Sequence, residues 1–257
     1  MLIIFVDLIF VIILGALWGS FANVCIIRMP QGKGVVVGRS FCVKCNKKIQ
    51  WFDNIPIISY LLLKFKCRNC KTKISFQYFL VETISLINFL VLYLIFGLSL
   101  TTLFLIILSV VFLIIFFIDL EHYIIPNSLT YSMMILGFIK SFVPNLDPIF
   151  PNFLNSLIGG LLGYGIIWSI IYFYRQFKKK EGMGLGDAKL FAVIGFWFGW
   201  ISIPFVIFLS SIIALLSVLP DLLRSSKKLS SQIPFGPFII LGTIFYLVFQ
   251  DNFVKLL

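Results

Sequence analysis

Two aspartates stand beside long apolar segments, and they are the residues of this sequence best suited to chemistry. Asp119 ends one apolar run, and Asp187 directly follows the segment Gly184–Gly186. A carboxylate near hydrocarbon is costly unless it is paired, protonated or in contact with water, so such a residue indicates a functional site. Two carboxyl groups that share one proton supply both a base that activates water and an acid that protonates the substrate. The pair therefore predicts aspartyl hydrolysis of a peptide bond.

The residues next to the two aspartates fit this chemistry. Gly184 and Gly186 allow backbone torsions and close approaches that a Cβ atom would resist, so a substrate strand could lie against them. Pro126 is expected to interrupt helical hydrogen bonding after Asp119, and Asn127 could cap the helix that follows. We therefore expect Asp119 to end a helix at a break in the chain.

Other roles for the polar residues near the membrane stay open. Taken alone, either aspartate is equally well explained by solvation or by an ion pair, for instance Asp187 with Lys189 or with the cluster at 178–180. It is their joint occurrence that favours catalysis. His122 is the single histidine, which argues against an imidazole-based hydrolase and is better explained as a water-facing residue at the interface.

The elements that hold these residues must be membrane helices. With 60% hydrophobic and only 12% charged residues among 257, the chain has more apolar surface than a soluble domain can bury, and it is predicted to be an all-α polytopic membrane protein. One crossing needs roughly 17 to 25 apolar residues. About eight transmembrane helices are expected, near 3–19, 79–97, 101–118, 124–142, 154–174, 188–201, 203–223 and 235–250.

The order of these runs predicts three parts. The first run, within 1–19, is followed by no obvious cleavage site and is interpreted as a retained helix. Residues 20–78 form the one polar module, and residues 79–257 form a bundle of seven helices.

The basic residues predict the orientation of the chain. Nineteen of the 21 Lys and Arg residues lie in or beside the first, third, fifth and seventh loops. Because cytoplasmic loops retain such residues, the polar module and both aspartates are expected at the cytoplasmic face. The same bias explains the net charge of +11 without nucleic acid, and attraction to anionic lipid headgroups is its natural consequence.

Four of the five cysteines form two Cys-x-x-Cys pairs in the polar module. Cys42 and Cys45 are separated by 21 residues from Cys67 and Cys70, which resembles a zinc ribbon in which two turns complete a tetrahedral, structural four-thiolate site. Two disulfides are the alternative, but a cytoplasmic module lies in a reducing compartment. A metal is therefore favoured, and Cys25, within an apolar segment, is interpreted as a buried hydrophobe.

Two further acids stand out among aromatic and basic neighbours. They are Asp53 in the polar module and Glu82 at the start of the second membrane helix. Both are weaker candidates for binding a cofactor.

The sequence resembles the bifunctional type IV prepilin peptidases over essentially its whole length. The matching stretches are Gly19–Val24 with Arg28 and Pro30, Gly38–Ser40, Trp51–Pro56, Ser59–Leu61, Ile74-Ser75, Tyr78, Val81-Glu82, Asp119 with Ile125–Asn127, Gly184–Lys189 and Pro234–Phe238. Departures are small: Val43 and Phe79 stand where many relatives have proline.

The resemblance implies an aspartyl endopeptidase of the bacterial inner membrane with Asp119 and Asp187 as its catalytic pair. Its substrates would be prepilins and the pseudopilins of type II secretion, cleaved after glycine at the cytoplasmic membrane border. The resemblance also implies N-methylation of the new amino terminus with S-adenosylmethionine, a reaction associated with the cysteine loop. Nothing else in the sequence points to methylation, because no GxGxxG turn is present.

Three alternatives remain from the sequence alone. A transporter could use membrane carboxylates for proton coupling, although no internal repeat is visible. A zinc-ribbon membrane protein could dock a cytosolic partner without catalysis. A presenilin-like general intramembrane protease would share the GxGD element but would not need the cysteine loop.

Overall fold

The chain folds into helices. The computed structural model describes residues 2–36, 38, 40–42, 44–144, 146–179, 182–223 and 233–254, and these contain no strand longer than an isolated bridge. The α-helices of this part of the chain are α1 (Leu2–Arg28), α2 (Ile58–Leu62), α3 (Phe76–Phe96), α4 (Leu100–His122), α5 (Asn127–Lys140), α6 (Phe153–Lys178), α7 (Leu185–Phe198), α8 (Ser202–Leu223) and α9 (Gly236–Val254). Single helical turns cover Met29–Gln31 and Trp51–Asn54. The prediction of an all-α protein is confirmed.

Each of the eight apolar runs coincides with one helix, α1 or one of α3 to α9. Five segments are long and apolar enough to cross a membrane: Phe5–Gln31, Phe76–Phe96, Leu100–His122, Phe153–Lys178 and Ser202–Pro220. α5 and α7 are shorter, with 14 residues each, and Gly236–Gln250 is a shorter apolar helix. The chain is therefore a multi-pass membrane protein, and eight complete crossings stay a prediction.

The chain divides into two compact units, residues 1–114 and 115–257. The division falls inside α4, so its last turns belong to the second unit together with α5 to α9. The three parts predicted from the sequence, 1–19, 20–78 and 79–257, stay a prediction.

In the first unit, small residues bring α1 and α3 into close contact. A Cβ atom at Gly19 would lie 2.7 Å from Cα of Glu82, and the hydroxyl of Ser85 donates a hydrogen bond to the carbonyl of Gly15 at 2.8 Å. Glycines four residues apart that let two helix backbones approach are a common packing device in membranes. This contact fixes the ends of α1 and α3 that border the polar module.

In the second unit, α7 is the central helix and is buried along most of its length. A Cβ atom at Gly159 or Gly163 of α6 would overlap backbone atoms of α7, so these glycines allow direct backbone contact. Trp197 is fully buried, and its indole N–H donates to the carbonyl of Met133 at 2.8 Å. Because α7 is held on several sides, its first turn, which carries Asp187, has a fixed position.

Candidate active site and metal centre

Asp119 lies in the last turn of α4 and is only 5% exposed. Its Oδ2 atom accepts a hydrogen bond from the backbone N–H of Gly236 at 2.9 Å. Gly236 is the first residue of α9, and the first N–H groups of a helix have no acceptor within their own helix. Asp119 satisfies one of them, and the helix end in turn orients its carboxylate.

Asp187 lies in the first turn of α7 and is 8% exposed. Its Oδ2 atom accepts a hydrogen bond from the backbone N–H of Gly184 at 3.2 Å, and a helix N-terminus favours negative charge. The charge of Asp119 acts electrostatically on Asp187. The structure therefore brings the two predicted aspartates into one site, each held through a single carboxylate oxygen.

Ion pairing does not explain the two aspartates. Among the described residues, neither carboxylate pairs with Lys or Arg. Lys189 binds Oδ1 of Asn127 at 2.6 Å and lies 5.0 Å from the ring centre of Tyr131. The expected alternative of an Asp187–Lys189 pair is therefore wrong, and Lys180 lies outside the described residues.

The break after α4 is present, but its cap differs from the expectation. α4 ends at His122, and Pro126 is the N-cap residue of α5 without a side-chain cap. Asn127 is the first helical residue, and its side chain accepts from Lys189 instead of capping, because a charged donor forms the stronger hydrogen bond. His122 is exposed and lies 3.9 Å from Glu121, as expected for an interfacial residue.

The two glycines before Asp187 differ in what they contribute. Gly184 has φ −82° and ψ 151°, which any residue can adopt, so its contribution is the N–H bound to Asp187. Gly186 contributes close approach, because a Cβ atom there would lie 3.0 Å from Cβ of Ile125. Gly186 thus lets α7 begin against the segment that follows α4.

Gly236 contacts Asp119 in the site, although the sequence singles it out only as part of the matching stretch Pro234–Phe238. A Cβ atom at this position would lie 2.7 Å from Oδ2 of Asp119. The available signal was a glycine between Phe235 and Pro237, where an extended segment turns into a helix. Such a glycine is compatible with many roles, so the contact with Asp119 could not be read from it.

The four cysteines form a second candidate centre, within the first unit. The Sγ atoms of Cys42, Cys45, Cys67 and Cys70 all lie within 4.8 Å of one another, and Cys42 and Cys70 are 3.7 Å apart. Tetrahedral zinc with Zn–S bonds of 2.3 Å requires about 3.8 Å between sulfurs, whereas a disulfide requires about 2.05 Å. All four are free thiols, so the group could hold a metal ion. Cys25 is buried in α1, as expected.

Each Cys-x-x-Cys pair is held in a matching turn. The N–H of Asn46 donates to the carbonyl of Cys42 at 2.8 Å, and the N–H of Lys71 donates to that of Cys67 at 3.0 Å. Asn46 and Lys71 have φ of 54° and 56°, which closes each turn sharply enough to present both thiols on one side. Hydrogen bonds from the side chain and backbone of Thr72 lower the pKa of Cys70 to about 6, which favours the thiolate that binds a metal.

Asp53 forms an ion pair that connects two turns of the cysteine module. Its carboxylate receives a two-pronged ion pair from Arg68, with Nη2–Oδ1 at 2.6 Å and Nε–Oδ2 at 2.9 Å. Arg68 lies between Cys67 and Cys70 and also covers the ring of Phe52 at 5.3 Å. The pair joins the turn at 51–54 to the second cysteine turn, a positioning role that differs from direct cofactor binding.

Glu82 is buried in α3, with 7% of its surface exposed. Its Oε2 atom accepts from the N–H of Ile57 at 2.7 Å, and Ser20 is a further hydrogen-bond partner. Ile57 has φ 61° and ψ −53°, which is strained for a β-branched residue. The carboxylate thus holds an unfavourable turn in place at the start of α2.

These features define an integral membrane protein with a buried two-aspartate centre and a separate four-cysteine cluster. Residues 13–96 match the bacterial peptidase A24 N-terminal domain, and residues 105–219 match the type IV leader peptidase family. The chain belongs to the type IV leader peptidase family, which confirms the resemblance of its motifs.

Curated relatives extend over nearly the whole chain. A prepilin leader peptidase/N-methyltransferase of Vibrio cholerae is 36% identical over 93% of this chain and 96% of the relative. Proteins of the same name from Neisseria gonorrhoeae and Pseudomonas aeruginosa are 34% and 32% identical, over 93% and 95% of this chain and 89% and 91% of theirs. No solved structure matches the chain significantly.

Proposed function

We propose that this protein is a membrane aspartyl endopeptidase that removes the leader of type IV prepilins and pseudopilins after glycine, and then N-methylates the new amino terminus. Family membership and the names of the relatives support both activities. The observation that carries the peptidase mechanism is the arrangement of Asp119 and Asp187. Both are buried and electrostatically linked, and neither pairs with a cation of the described segments.

The hydrogen bonds of the two aspartates suit acid–base catalysis. In each residue a backbone N–H occupies Oδ2, and Oδ1 has no hydrogen bond to the described protein, so it can face water or substrate. One ionised carboxylate takes a proton from water as the water oxygen attacks the scissile carbonyl carbon. The other, protonated, carboxyl group donates to the carbonyl oxygen, and a proton then passes to the leaving nitrogen as the C–N bond breaks.

The glycines give the aspartates a defined orientation. The N–H of Gly236 and the N–H of Gly184 each bind one oxygen from a helix terminus, where local charge favours an anion. A carboxylate held through one oxygen keeps the second oxygen in a fixed direction. Such preorganisation removes the need to reorient the base during the reaction.

The proposed location is the bacterial inner membrane, with both aspartates and the cysteine module at the cytoplasmic face. The support is the positive-inside bias of Lys and Arg and the helices able to cross a membrane. A prepilin would approach with its apolar helix in the bilayer. Its leader would then lie at the same face as the end of α4.

For the methylation, we propose S-adenosylmethionine as methyl donor and zinc as the ion of the cysteine cluster. The four thiols fit zinc in number, spacing and donor type. When bound, the donor supplies an activated methyl group and zinc supplies cross-linking of the two turns. A module of this size has little apolar core, so metal ligation would provide much of its stability.

The alternatives from other classes are less well supported. A transporter or a docking protein needs no pair of carboxylates held by glycine N–H groups. A presenilin-like general protease would not need the four-cysteine cluster. Relatives covering nearly the full chain carry the name of a peptidase and methyltransferase, which favours the bifunctional enzyme.

The test is cleavage of a prepilin by the purified full-length protein in lipid vesicles, with S-adenosylmethionine present. Wild type, Asp119→Asn, Asp187→Asn and the control Glu121→Gln are compared, and mass spectrometry identifies the new amino terminus. We expect wild type and control to cleave after glycine and to add the mass of one methyl group, and both Asn variants to be inactive. Cleavage unaffected by either Asn substitution would refute the aspartyl mechanism.

A further inference from the structure

A large cavity lies in the first unit, between the ends of α1 and α3 and the four-cysteine module. Its volume is about 1040 Å³. Ser20 and Asn23 of α1, Tyr78 and Glu82 of α3, and Cys42 and Cys67 of the module are among its lining residues. In this cavity, called the module cavity below, all lining residues belong to the first unit, whereas Asp119 and Asp187 belong to the second.

The buried acid of the module cavity has no cationic partner. Glu82 is hydrogen-bonded to the N–H of Ile57 and to Ser20, and within the described part of the chain no Lys or Arg forms an ion pair with it. A carboxylate withdrawn from water without a counter-charge is costly. Glu82 therefore has the properties of a group that binds a cation from outside the protein.

The exposed lining of the module cavity has the opposite charge. Exposed lysines Lys33, Lys44, Lys47, Lys48 and Lys73 contribute to it. Asp53, the other acid of the lining, is already paired with Arg68. The cavity thus combines one buried, uncompensated negative charge with an exposed positive edge.

A ligand for this cavity needs a positive group for Glu82, a negative group for the exposed lysines, and an apolar or aromatic body. S-adenosylmethionine has all three: a sulfonium, an amino-acid end that carries an ammonium and a carboxylate on the same carbon, and an adenine ring. S-adenosylmethionine is small enough for the ligand cavities of roughly 300 to 1,000 Å³ that are common in proteins. Tyr78 also lines the cavity, and its ring offers a face for adenine or for the cationic sulfur.

We propose that the module cavity is the binding site for S-adenosylmethionine, with Glu82 supplying the buried negative charge that holds the sulfonium of the donor. The inference rests on the proposed methyltransferase function. It gives the strained turn at Ile57 a role, because Glu82 links this turn to the ligand. It also gives the cysteine module a place in the site, because Cys42 and Cys67 line the cavity.

The experiment measures equilibrium binding to the full-length, metal-loaded protein in lipid nanodiscs. The probes are S-adenosylmethionine and S-adenosylhomocysteine, which lacks the sulfonium charge. We expect Glu82→Gln to weaken binding of the charged donor by at least about tenfold and that of the neutral product much less. The control, Asp7→Asn, changes an acid of α1 that does not line the cavity and should bind both probes like wild type.

If Glu82→Gln disturbs folding, a second variant and cross-linking of the donor still test whether the module cavity binds it. Ile49→Trp places a large ring in the cavity without touching Glu82, and it should block both probes. Ultraviolet cross-linking of labelled donor to wild type, followed by peptide mapping, should mark residues 20–82. Leader cleavage by each variant, which needs no methyl donor, reports whether the protein is folded.

The outcomes separate this inference from the proposed function. Wild type that neither binds nor methylates would remove the methyltransferase function itself. Wild type that does both, with cross-links confined to residues 115–257 or with undiminished binding in Glu82→Gln and Ile49→Trp, would overturn the site while leaving the function intact.

Discussion

The N–H of Gly236 donates a hydrogen bond of 2.9 Å to Oδ2 of Asp119, although 117 residues separate the two in sequence. The bond connects the first residue of α9 to the last turn of α4. α9 is thereby part of the candidate active site, and its N-terminus acts on Asp119 much as the N-terminus of α7 acts on Asp187.

This contact predicts that Gly236→Ala impairs cleavage far more than folding. The added Cβ atom would lie 2.7 Å from Oδ2 of Asp119, so the carboxylate must move while the backbone can stay. A displacement of this kind in a catalytic group costs roughly 10- to 100-fold in rate. The measurement is the rate of leader cleavage in vesicles, with thermal unfolding followed in parallel.

The matched control for this substitution is Gly165→Ala. No heavy atom lies within 4 Å of a Cβ atom built at Gly165, so the same chemical change should leave cleavage at the wild-type rate. Equal rates for wild type and Gly236→Ala would contradict the prediction that the added Cβ atom displaces the carboxylate of Asp119 from its catalytic position.

The shared site also predicts that the two aspartates act as a unit. Asp119→Asn and Asp187→Asn should each lower cleavage by at least about 1,000-fold, and the double variant should be no worse than either single one. The reason is that the reaction needs both a base and an acid, and an amide is neither. The measurement is single-turnover cleavage with excess enzyme, which detects slow residual activity.

This prediction has a control variant and an outcome that would contradict it. Glu121→Gln changes an exposed acid in the same turn of α4 and should cleave at the wild-type rate. Losses that multiply in the double variant would mean that Asp119 and Asp187 contribute independently, which contradicts a shared proton.

The sequence predicted those parts of the site that short motifs encode. The two aspartates and the four cysteines were recognisable because their neighbours lie within a few residues along the chain. Gly236 and the Asn127–Lys189 hydrogen bond were not predicted, since each depends on which helices pack together. The periodicity and spacing of residues in a sequence do not show which helices pack against each other.

α7 shows the same limit for the fold. Its apolar run, 188–201, is the shortest of the eight and is rich in Gly and Trp. The structure gives the reason: Gly195 contacts the backbone of α6, and Trp197 is fully buried. Glycine and tryptophan suit close packing inside a bundle, but they are less hydrophobic than leucine or isoleucine. They therefore shorten the strongly apolar segment from which hydropathy predicts a membrane helix.

The hydrogen bonds to Cys70 predict how the metal centre responds to pH. Because Thr72 lowers the pKa of Cys70, less free energy is needed to displace the proton of this thiol, so the centre binds its metal more tightly at a given pH. Thr72→Val removes the hydroxyl, raises the pKa of Cys70 toward its ordinary value and so moves metal release to higher pH, by roughly 0.5 to 1 unit. The measurement is zinc retained after dialysis across a pH series.

Cysteine variants provide the controls for metal content. Cys25 is buried in α1 away from the cluster, so Cys25→Ala should retain one metal ion per chain, whereas Cys67→Ser should lose it. A release curve for Thr72→Val identical to that of wild type would exclude the hydroxyl as the cause of the lowered pKa.

Lys140, the last residue of α5, is fully buried, and its ammonium has no hydrogen-bond partner among the described residues. It lies 4.3 Å from the ring centre of Phe150 and 5.5 Å from that of Trp197. Cation–π attraction contributes about 0.5 to 2 kcal/mol, less than the cost of burying an unpaired charge. Lys140→Met, which keeps the length of the side chain, should therefore leave stability unchanged or raise it by about 1 kcal/mol.

Lys140→Ala distinguishes the aliphatic chain of Lys140 from its charge. It removes the ammonium but also leaves a cavity between α5 and the rings of Phe150 and Trp197, which should cost about 2 to 4 kcal/mol. Thermal unfolding in detergent, with both variants measured beside wild type, checks the order Met, wild type, Ala. If Lys140→Met were as unstable as Lys140→Ala, the positive charge of Lys140 would stabilise this end of α5. The contacts of the ammonium with the rings of Phe150 and Trp197 would then be favourable cation–π interactions that exceed the cost of burying the charge.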